Sequence, residues 1–151
     1  MQSAYEGLRS QAFSLTAEQA GTNAATYGVL METGYPEAVV TLVALADGTA
    51  SLYFSNGGGI IGAGTHKKPA IAAQSLVAFA SHNLQLLTQS NFTPLPEPGH
   101  TRFYVLTTSG RYTAGAAEAD LGENRHVLSP LFHTAHALIY EMSQIDAARD
   151  A

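Results

Sequence analysis

The chain contains no cysteine in its 151 residues. This absence excludes disulfide bonds, zinc sites built from thiolates and a cysteine nucleophile. Charged residues are also scarce: they make up 13% of the sequence, about half of the usual ~25%. A surface with so few charges is compatible with a buried interface between subunits.

Basic residues are few and scattered, and the net charge is −5. Because no basic stripe with interleaved aromatic residues exists, we expect no binding to nucleic acid. No apolar run approaches the ~18 residues of a transmembrane helix. The N-terminus lacks a charged segment followed by an apolar one, which a secretory signal requires. We therefore expect a cytoplasmic protein with no membrane partner.

The length and the hydrophobic content of 46% predict one domain that spans residues 1–151. The final residues, 146–151, are expected to form a frayed tail. No internal repeat is visible.

The periodicity of apolar residues predicts three helices and five strands. The helices are expected over residues 3–20, 66–88 and 129–145, and the strands over residues 26–32, 38–46, 49–55, 102–107 and 111–117. Short turns such as Asp47-Gly48 join neighbouring strands, so the strands should pair antiparallel. Residues 89–99, with three prolines, should be irregular, and an acidic loop should cover residues 118–125. The expected fold is α+β, with one antiparallel sheet and the element order α-β-β-β-α-β-β-α.

This order of elements resembles that of the profilin, roadblock and longin-like domains. Their members mostly bind partners, so the resemblance implies a binding role. It concerns the element order alone, because no residue motif of those families is matched. The central helix follows three strands here, whereas roadblock domains place it after two.

The predicted central helix, residues 66–88, is apolar around most of its circumference. A helix of this kind is buried on more than one side, and in a small domain one of those sides is available to another subunit. We therefore predict a non-enzymatic interaction or regulatory module that forms a homodimer.

A glycine-rich segment between the third strand and the central helix holds five of the fourteen glycines. Its candidate ligand-binding residues are Gly57, Gly58, Gly59, Gly62, Gly64, Thr65, His66, Lys67 and Lys68. Glycines let backbone N–H groups approach a ligand closely, and a helix N-terminus attracts anions. The alternative function is therefore a binding or sensor domain for a small anion. The alternative structural interpretation is a tight crossover, where glycine only lets backbones pack together.

Two nucleotide-binding motifs are matched only in part. Gly57, Gly59 and Gly62 fit G-x-G-x-x-G, but the acidic residue expected about twenty positions later is missing. Residues 59–64 fit half of a phosphate loop. Thr65 and His66 then stand where lysine and serine or threonine belong. The sequence therefore indicates no dinucleotide or triphosphate site, and no cofactor.

The last helix carries His133 and His136, with Tyr140 on the same side. Histidines three positions apart can share a metal ion. A third ligand would have to come from the preceding loop, where His126 and Glu123 are available. A metal-dependent enzyme is therefore the third hypothesis, although neither H-E-x-x-H nor a G-x-S-x-G elbow is present. The alternative is a solvated face or an interface.

Overall fold

A computed structural model describes the backbone of residues 4–60 and 65–150, and the side chains as far as residue 145. Within this part of the chain, seven strands form one antiparallel sheet in the order β4-β3-β2-β1-β6-β7-β5. The strands are β1 Thr26–Gly34, β2 Val39–Leu45, β3 Ala50–Phe54, β4 Gly59–Ile60, β5 Thr88–Gln89, β6 His100–Thr107 and β7 Gly110–Ala117. The helices are α1 Ala4–Ser14, α2 Lys67–Ser81, α3 Glu118–Gly122 and α4 Ser129–Asp150, with a 3₁₀ turn over Leu84–Leu86. The predicted α+β class and the single antiparallel sheet are confirmed.

Three short elements add to the five strands and three helices that were predicted. β4 and β5 have two residues each, which is too short to show the alternation that identifies a strand. α3 occupies part of the predicted acidic loop. Its first turn holds Glu118 and Asp120, and carboxylates stabilise the positive end of a helix.

The first helix is shorter than predicted. α1 ends at Ser14, not near residue 20. Thr16 and Gln19 then bond reciprocally, since each side chain accepts a hydrogen bond from the other residue's backbone N–H. This is a capping box, which begins a separate helical turn, so the apolar pattern of residues 3–20 covers two short pieces.

The central helix is also shorter than predicted. α2 ends at Ser81, and the Asn83 side chain donates to the Phe79 carbonyl, satisfying one of the carbonyls left free at a helix end. The remaining residues of the predicted helix form the 3₁₀ turn and β5. α4 begins at Ser129 as predicted and continues to Asp150, beyond the predicted end at residue 145.

The larger core lies between one face of the sheet and two helices. α2 and α4 pack on this face and on each other. Its most buried residues include Val29, Met31, Leu42, Phe103, Val105, Leu76, Leu131 and Leu138. α2 is therefore apolar on two sides because it contacts both the sheet and α4. Ile71 is the large apolar residue that this helix leaves exposed, and the predicted contact with another subunit stays a prediction.

The opposite face of the sheet carries a smaller core. Its buried residues are Ala12, Ala20, Leu30, Val43, Leu45, Tyr104 and Leu106. α1 covers part of this face, and residues 90–97, here named the strap, cross it after β5. The strap is irregular, as predicted. Gly34 allows its close approach, because a Cβ atom there would overlap the backbone carbonyl of Glu97.

Among the described helices, none combines the length and the apolar character needed to cross a lipid bilayer.

Candidate functional site

A buried ion pair joins α1 to the sheet. Glu32 on β1 is fully buried, and its two carboxylate oxygens accept hydrogen bonds of 2.7 Å each from the Arg9 guanidinium. The Thr41 hydroxyl donates to the same carboxylate at 2.8 Å and lies 2.7 Å from the Tyr5 hydroxyl. Three donors therefore hold this carboxylate, which positions it to fasten α1 rather than to take a proton from a substrate.

Burial and charge around Glu32 shift the pKa values of the neighbouring side chains. Burial raises the pKa of Tyr104 to about 12, with a further contribution from the charge of Glu32. Burial also raises the pKa of Tyr5. For Arg9, burial lowers the pKa, but the hydrogen bonds and charge of Glu32 more than offset it, so the pKa lies above its ordinary value. Both tyrosines are therefore neutral and Arg9 is charged at neutral pH.

The same side chains fix the backbone of the strap. Arg9 Nη2 donates to the Thr93 carbonyl at 2.7 Å, and the Tyr104 hydroxyl donates to the Pro94 carbonyl at 2.6 Å. The strap also exposes Phe92, at 82% of its surface, and Leu95, at 47%. The strap thus presents apolar side chains to solvent on an anchored backbone.

A groove of about 350 Å³ lies between the strap and the sheet. We name it the Arg102 groove; its lining residues are Pro94, Leu95, Pro96, Glu97, His100, Thr101, Arg102, Gly115 and Ala116. The strap forms one wall, and β6 and β7 form the floor. Its volume lies at the lower end of the roughly 300–1,000 Å³ typical of ligand pockets.

Arg102 is the one cation that lines this groove. It stands opposite Glu32 in the register of β1 and β6, where residues of opposite charge usually pair, but Glu32 is already bound by Arg9. Arg102 Nη1 donates instead to the Thr113 hydroxyl at 3.2 Å. Among the side chains that the structure describes, no carboxylate lies within ion-pair distance of Arg102.

Gly115 leaves space for the Arg102 guanidinium. It is the cross-strand neighbour of Arg102 on β7, and a Cβ atom there would lie 3.2 Å from Nη2. Any side chain at this position would therefore crowd the guanidinium. The groove thus combines a half-buried cation with apolar walls, an arrangement suited to binding an anion.

The first three glycines of the glycine-rich segment form the turn between β3 and β4. Gly57, Gly58 and Gly59 have φ angles of +107°, +86° and +151°, and the Gly57 N–H donates to the Phe54 carbonyl at 3.0 Å. A Cβ atom on Gly59 would overlap the backbone carbonyl of Leu52. The turn therefore requires glycine for its own geometry, whether or not it contacts a ligand.

The rest of that segment leads into α2. Gly62 and Gly64 lie outside the described residues. Thr65, His66, Lys67 and Lys68 are exposed, and the two lysines lie in the first turn of α2. The His66 side chain makes no capping hydrogen bond to this helix. The predicted anion site at this position stays a prediction.

The histidines of α4 occupy different environments. His133 is exposed, and its Nε2 lies 2.8 Å from Asn124 Oδ1. His136 packs against the Phe132 ring, and its Nε2 atom is buried without a hydrogen-bond partner. Burial lowers the pKa of His136; the charge of Glu118 raises it and that of His133 lowers it further.

The two candidates for the third metal ligand are engaged elsewhere. His126 Nδ1 accepts a hydrogen bond from the Leu128 N–H at 3.0 Å, and Glu123 pairs with Arg125. Tyr140 is exposed. In the part of the chain that the structure describes, no three histidine, aspartate or glutamate side chains are grouped to hold a metal ion. The metal-dependent enzyme stays a prediction.

No family model, curated protein or solved structure matches this chain.

The Arg102 groove was missed by sequence reasoning. Its walls come from the strap, β6 and β7, and the strap crosses the sheet only in the folded chain. One sequence signal was available for the ion pair beneath it: Arg9 lies on the apolar side of the first helix, in step with Tyr5 and Ala12. A charge in such a position indicates a buried partner.

Proposed function

We propose that this protein is a non-enzymatic interaction module that self-associates through the strap. The observation that carries the proposal is the exposure of Phe92 and Leu95 on a backbone that Arg9 and Tyr104 hold at Thr93 and Pro94. Exposed apolar side chains on an anchored backbone bind a partner at a lower cost in backbone entropy.

Two further features support this proposal. The buried carboxylate of Glu32 is bound by Arg9 and Thr41, so the most enclosed polar cluster serves to anchor the strap and α1. The low charge content leaves few charges to repel a second copy. A homodimer formed by one patch on each subunit would have twofold symmetry, with each strap contacting the other subunit.

Analytical ultracentrifugation over a wide concentration range tests the self-association. We expect a dimer that dissociates on dilution, and Phe92→Ser together with Leu95→Ser should make the protein monomeric. The matched control is Ile71→Ser, because Ile71 is also an exposed apolar residue, at 51%, but lies on α2. A protein that stays monomeric at every concentration contradicts self-association. Dissociation by Ile71→Ser alone would instead place the contact on α2, as the sequence first suggested.

The resemblance in element order to profilin, roadblock and longin-like domains agrees with an interaction module. It contributes no residue-level argument. The proposal depends on the strap.

Anion binding by the glycine-rich segment is a second candidate. It is favoured by the exposure of Lys67 and Lys68 in the first turn of α2, where the helix end also attracts anions. A thermal-shift titration with phosphate tests it. Stabilisation by phosphate should disappear when both lysines are replaced by alanine, and a shift that persists in that variant contradicts this candidate.

A further inference from the structure

We propose that the Arg102 groove binds the carboxylate of a small organic acid. Arg102 uses Nη1 for its hydrogen bond to Thr113. Its Nε and Nη2 atoms, on the adjacent edge of the guanidinium, have no hydrogen-bond partner among the described residues. These two N–H groups point in parallel, and this is the geometry in which arginine binds a carboxylate through two hydrogen bonds.

The guanidinium is held in position before any ligand arrives. Thr113 accepts from Arg102 and donates its own hydroxyl hydrogen to the Phe103 carbonyl at 2.9 Å, which fixes the direction of its lone pairs. Gly115 provides the space beside Nη2. Because the side chain is already ordered, less conformational entropy is lost when a ligand binds.

The charges of the groove favour one negative charge over two. Arg102 is its single lysine or arginine, and Glu97 is also a lining residue. The second charge of a phosphate dianion would therefore have no cation of its own in the groove. His100 is the remaining titratable group of the lining, and it is exposed.

The walls of the groove determine the size and polarity of the part of the ligand that lies beside its carboxylate. Pro94, Leu95 and Pro96 line one side, whereas the floor at Ala116 is backbone, because the Ala116 side chain packs against the larger core on the opposite face. These apolar surfaces suit a short hydrocarbon chain or a single ring. A volume of about 350 Å³ leaves room for such a body beside the carboxylate.

Nuclear magnetic resonance titrations of the ¹⁵N-labelled full-length protein test the proposal. The probes are acetate, butyrate and benzoate, with benzamide as the neutral counterpart of benzoate and with inorganic phosphate. We expect at least one of the carboxylates to shift the Gly115 amide and Arg102 Nε–H signals with a dissociation constant in the millimolar range. Benzamide should bind at least about tenfold more weakly because it lacks the negative charge, and phosphate because the groove has no second cation for its second charge.

Three variants locate the binding. Arg102→Gln should raise the dissociation constant at least about tenfold. Arg125→Gln removes the same charge at a distant exposed position and should leave the constant unchanged. Gly115→Ala keeps Arg102 but crowds its Nη2 atom. This variant should weaken binding. It should not unfold the strand, because Gly115 is not among the residues with positive φ. The Gly115→Ala result therefore remains informative even if Arg102→Gln is unstable.

Several outcomes would overturn the proposal. One is the absence of a shift with all three carboxylates at tens of millimolar. Another is equal binding by benzamide or phosphate. A third is an unchanged dissociation constant in folded Arg102→Gln or in Gly115→Ala. Shifts confined to the first turn of α2 would assign the anion to Lys67 and Lys68 instead. Because Leu95 lines the groove and also belongs to the proposed dimer contact, the titrations are run at a protein concentration at which the protein is monomeric.

Discussion

Arg9 and Glu32 illustrate how a sheet can bury a carboxylate completely. Glu32 has no exposed surface and the Arg9 side chain retains 14%. Burying two charges costs several kcal/mol in desolvation, which only good geometry and additional hydrogen bonds offset. Here the Thr41 hydroxyl and the Thr93 carbonyl complete the hydrogen bonding on the two sides of the pair.

Replacing Glu32 with Gln should lower the free energy of unfolding by about 3–5 kcal/mol, the usual cost of removing one partner of a buried ion pair. Arg9 would keep its charge but lose its counterion, and α1 and the strap would lose a shared anchor. Urea denaturation measures the change. Arg125→Gln, which breaks an exposed ion pair with Asp120, is the control and should have little effect. Equal stability of the two variants would show that the buried pair does not hold α1.

His136 predicts a pH dependence of stability. Burial lowers its pKa in the folded protein below the ordinary value of 6.5, so the unfolded chain takes up a proton at a higher pH than the folded chain. The contribution of His136 to the free energy of unfolding is therefore fully present above pH 6.5. It is lost as the pH falls from 6.5 towards the pKa of His136 in the folded protein. The charge of Glu118 opposes this lowering of the His136 pKa, and the charge of His133 adds to it.

Thermal unfolding of His136→Gln between neutral and mildly acidic pH tests this. The variant should lose less stability than the wild type over that range, because it has no imidazole to protonate. His133→Gln should still show most of the loss. If His136→Gln and the wild type decline in parallel, another group causes the pH dependence.

At the scale of elements, the turn between β3 and β4 depends on its glycines in different degrees. Gly57 and Gly59 both have positive φ. A Cβ atom on Gly57 would meet none of the described residues within 4 Å, whereas a Cβ atom on Gly59 would overlap the Leu52 carbonyl. The backbone conformation therefore restricts both positions, and close packing restricts Gly59 further.

We expect Gly57→Ala to cost about 1–3 kcal/mol of stability, since a non-glycine residue is strained at positive φ. Gly59→Ala should cost clearly more, because the strand pairing of β3 and β4 must open to admit the methyl group. Parallel urea titrations of the two variants provide the comparison. Equal losses would mean that the close approach at Gly59 relaxes without cost.

The longest elements were the ones that sequence patterns predicted well. β1, β2 and β6 are rich in apolar and β-branched residues, and the Asp47-Gly48 turn joins β2 to β3. The predicted ends of α1 and α2 were wrong because the observed ends depend on single hydrogen bonds, such as the one from the Asn83 side chain to the Phe79 carbonyl. An apolar pattern continues through such an interruption, so periodicity alone does not reveal it.

At the scale of the whole molecule, the two faces of the sheet are covered unequally. α2 and α4 cover one face with many buried residues, whereas α1 contributes only Tyr5 and Ala12 as buried residues on the other. With so few buried residues, α1 depends on the ion pair between Arg9 and Glu32 to stay on the smaller core.

Deleting residues 1–15 should destabilise the whole molecule and not only the N-terminus. The deletion exposes the smaller core and leaves Glu32 buried without Arg9. We expect a lower melting temperature and binding of a dye that recognises exposed apolar surface. Deleting residues 146–151, which include the last residues of α4, is the control and should change the melting temperature little. A cooperative melt at the wild-type temperature without residues 1–15 would show that α1 is dispensable for the fold.

The sequence by itself determined the α+β class, the antiparallel sheet and most of its strands, because alternation, turn residues and β-branched content act between neighbours in the chain. Only the tertiary structure decided which side chains meet. Arg9 reaches Glu32 and the strap, residues far apart in sequence. That pairing leaves Arg102 without a carboxylate beside the groove, and it orders the strap that displays Phe92. Contacts between distant residues have no periodic signature, so folding alone brings them together.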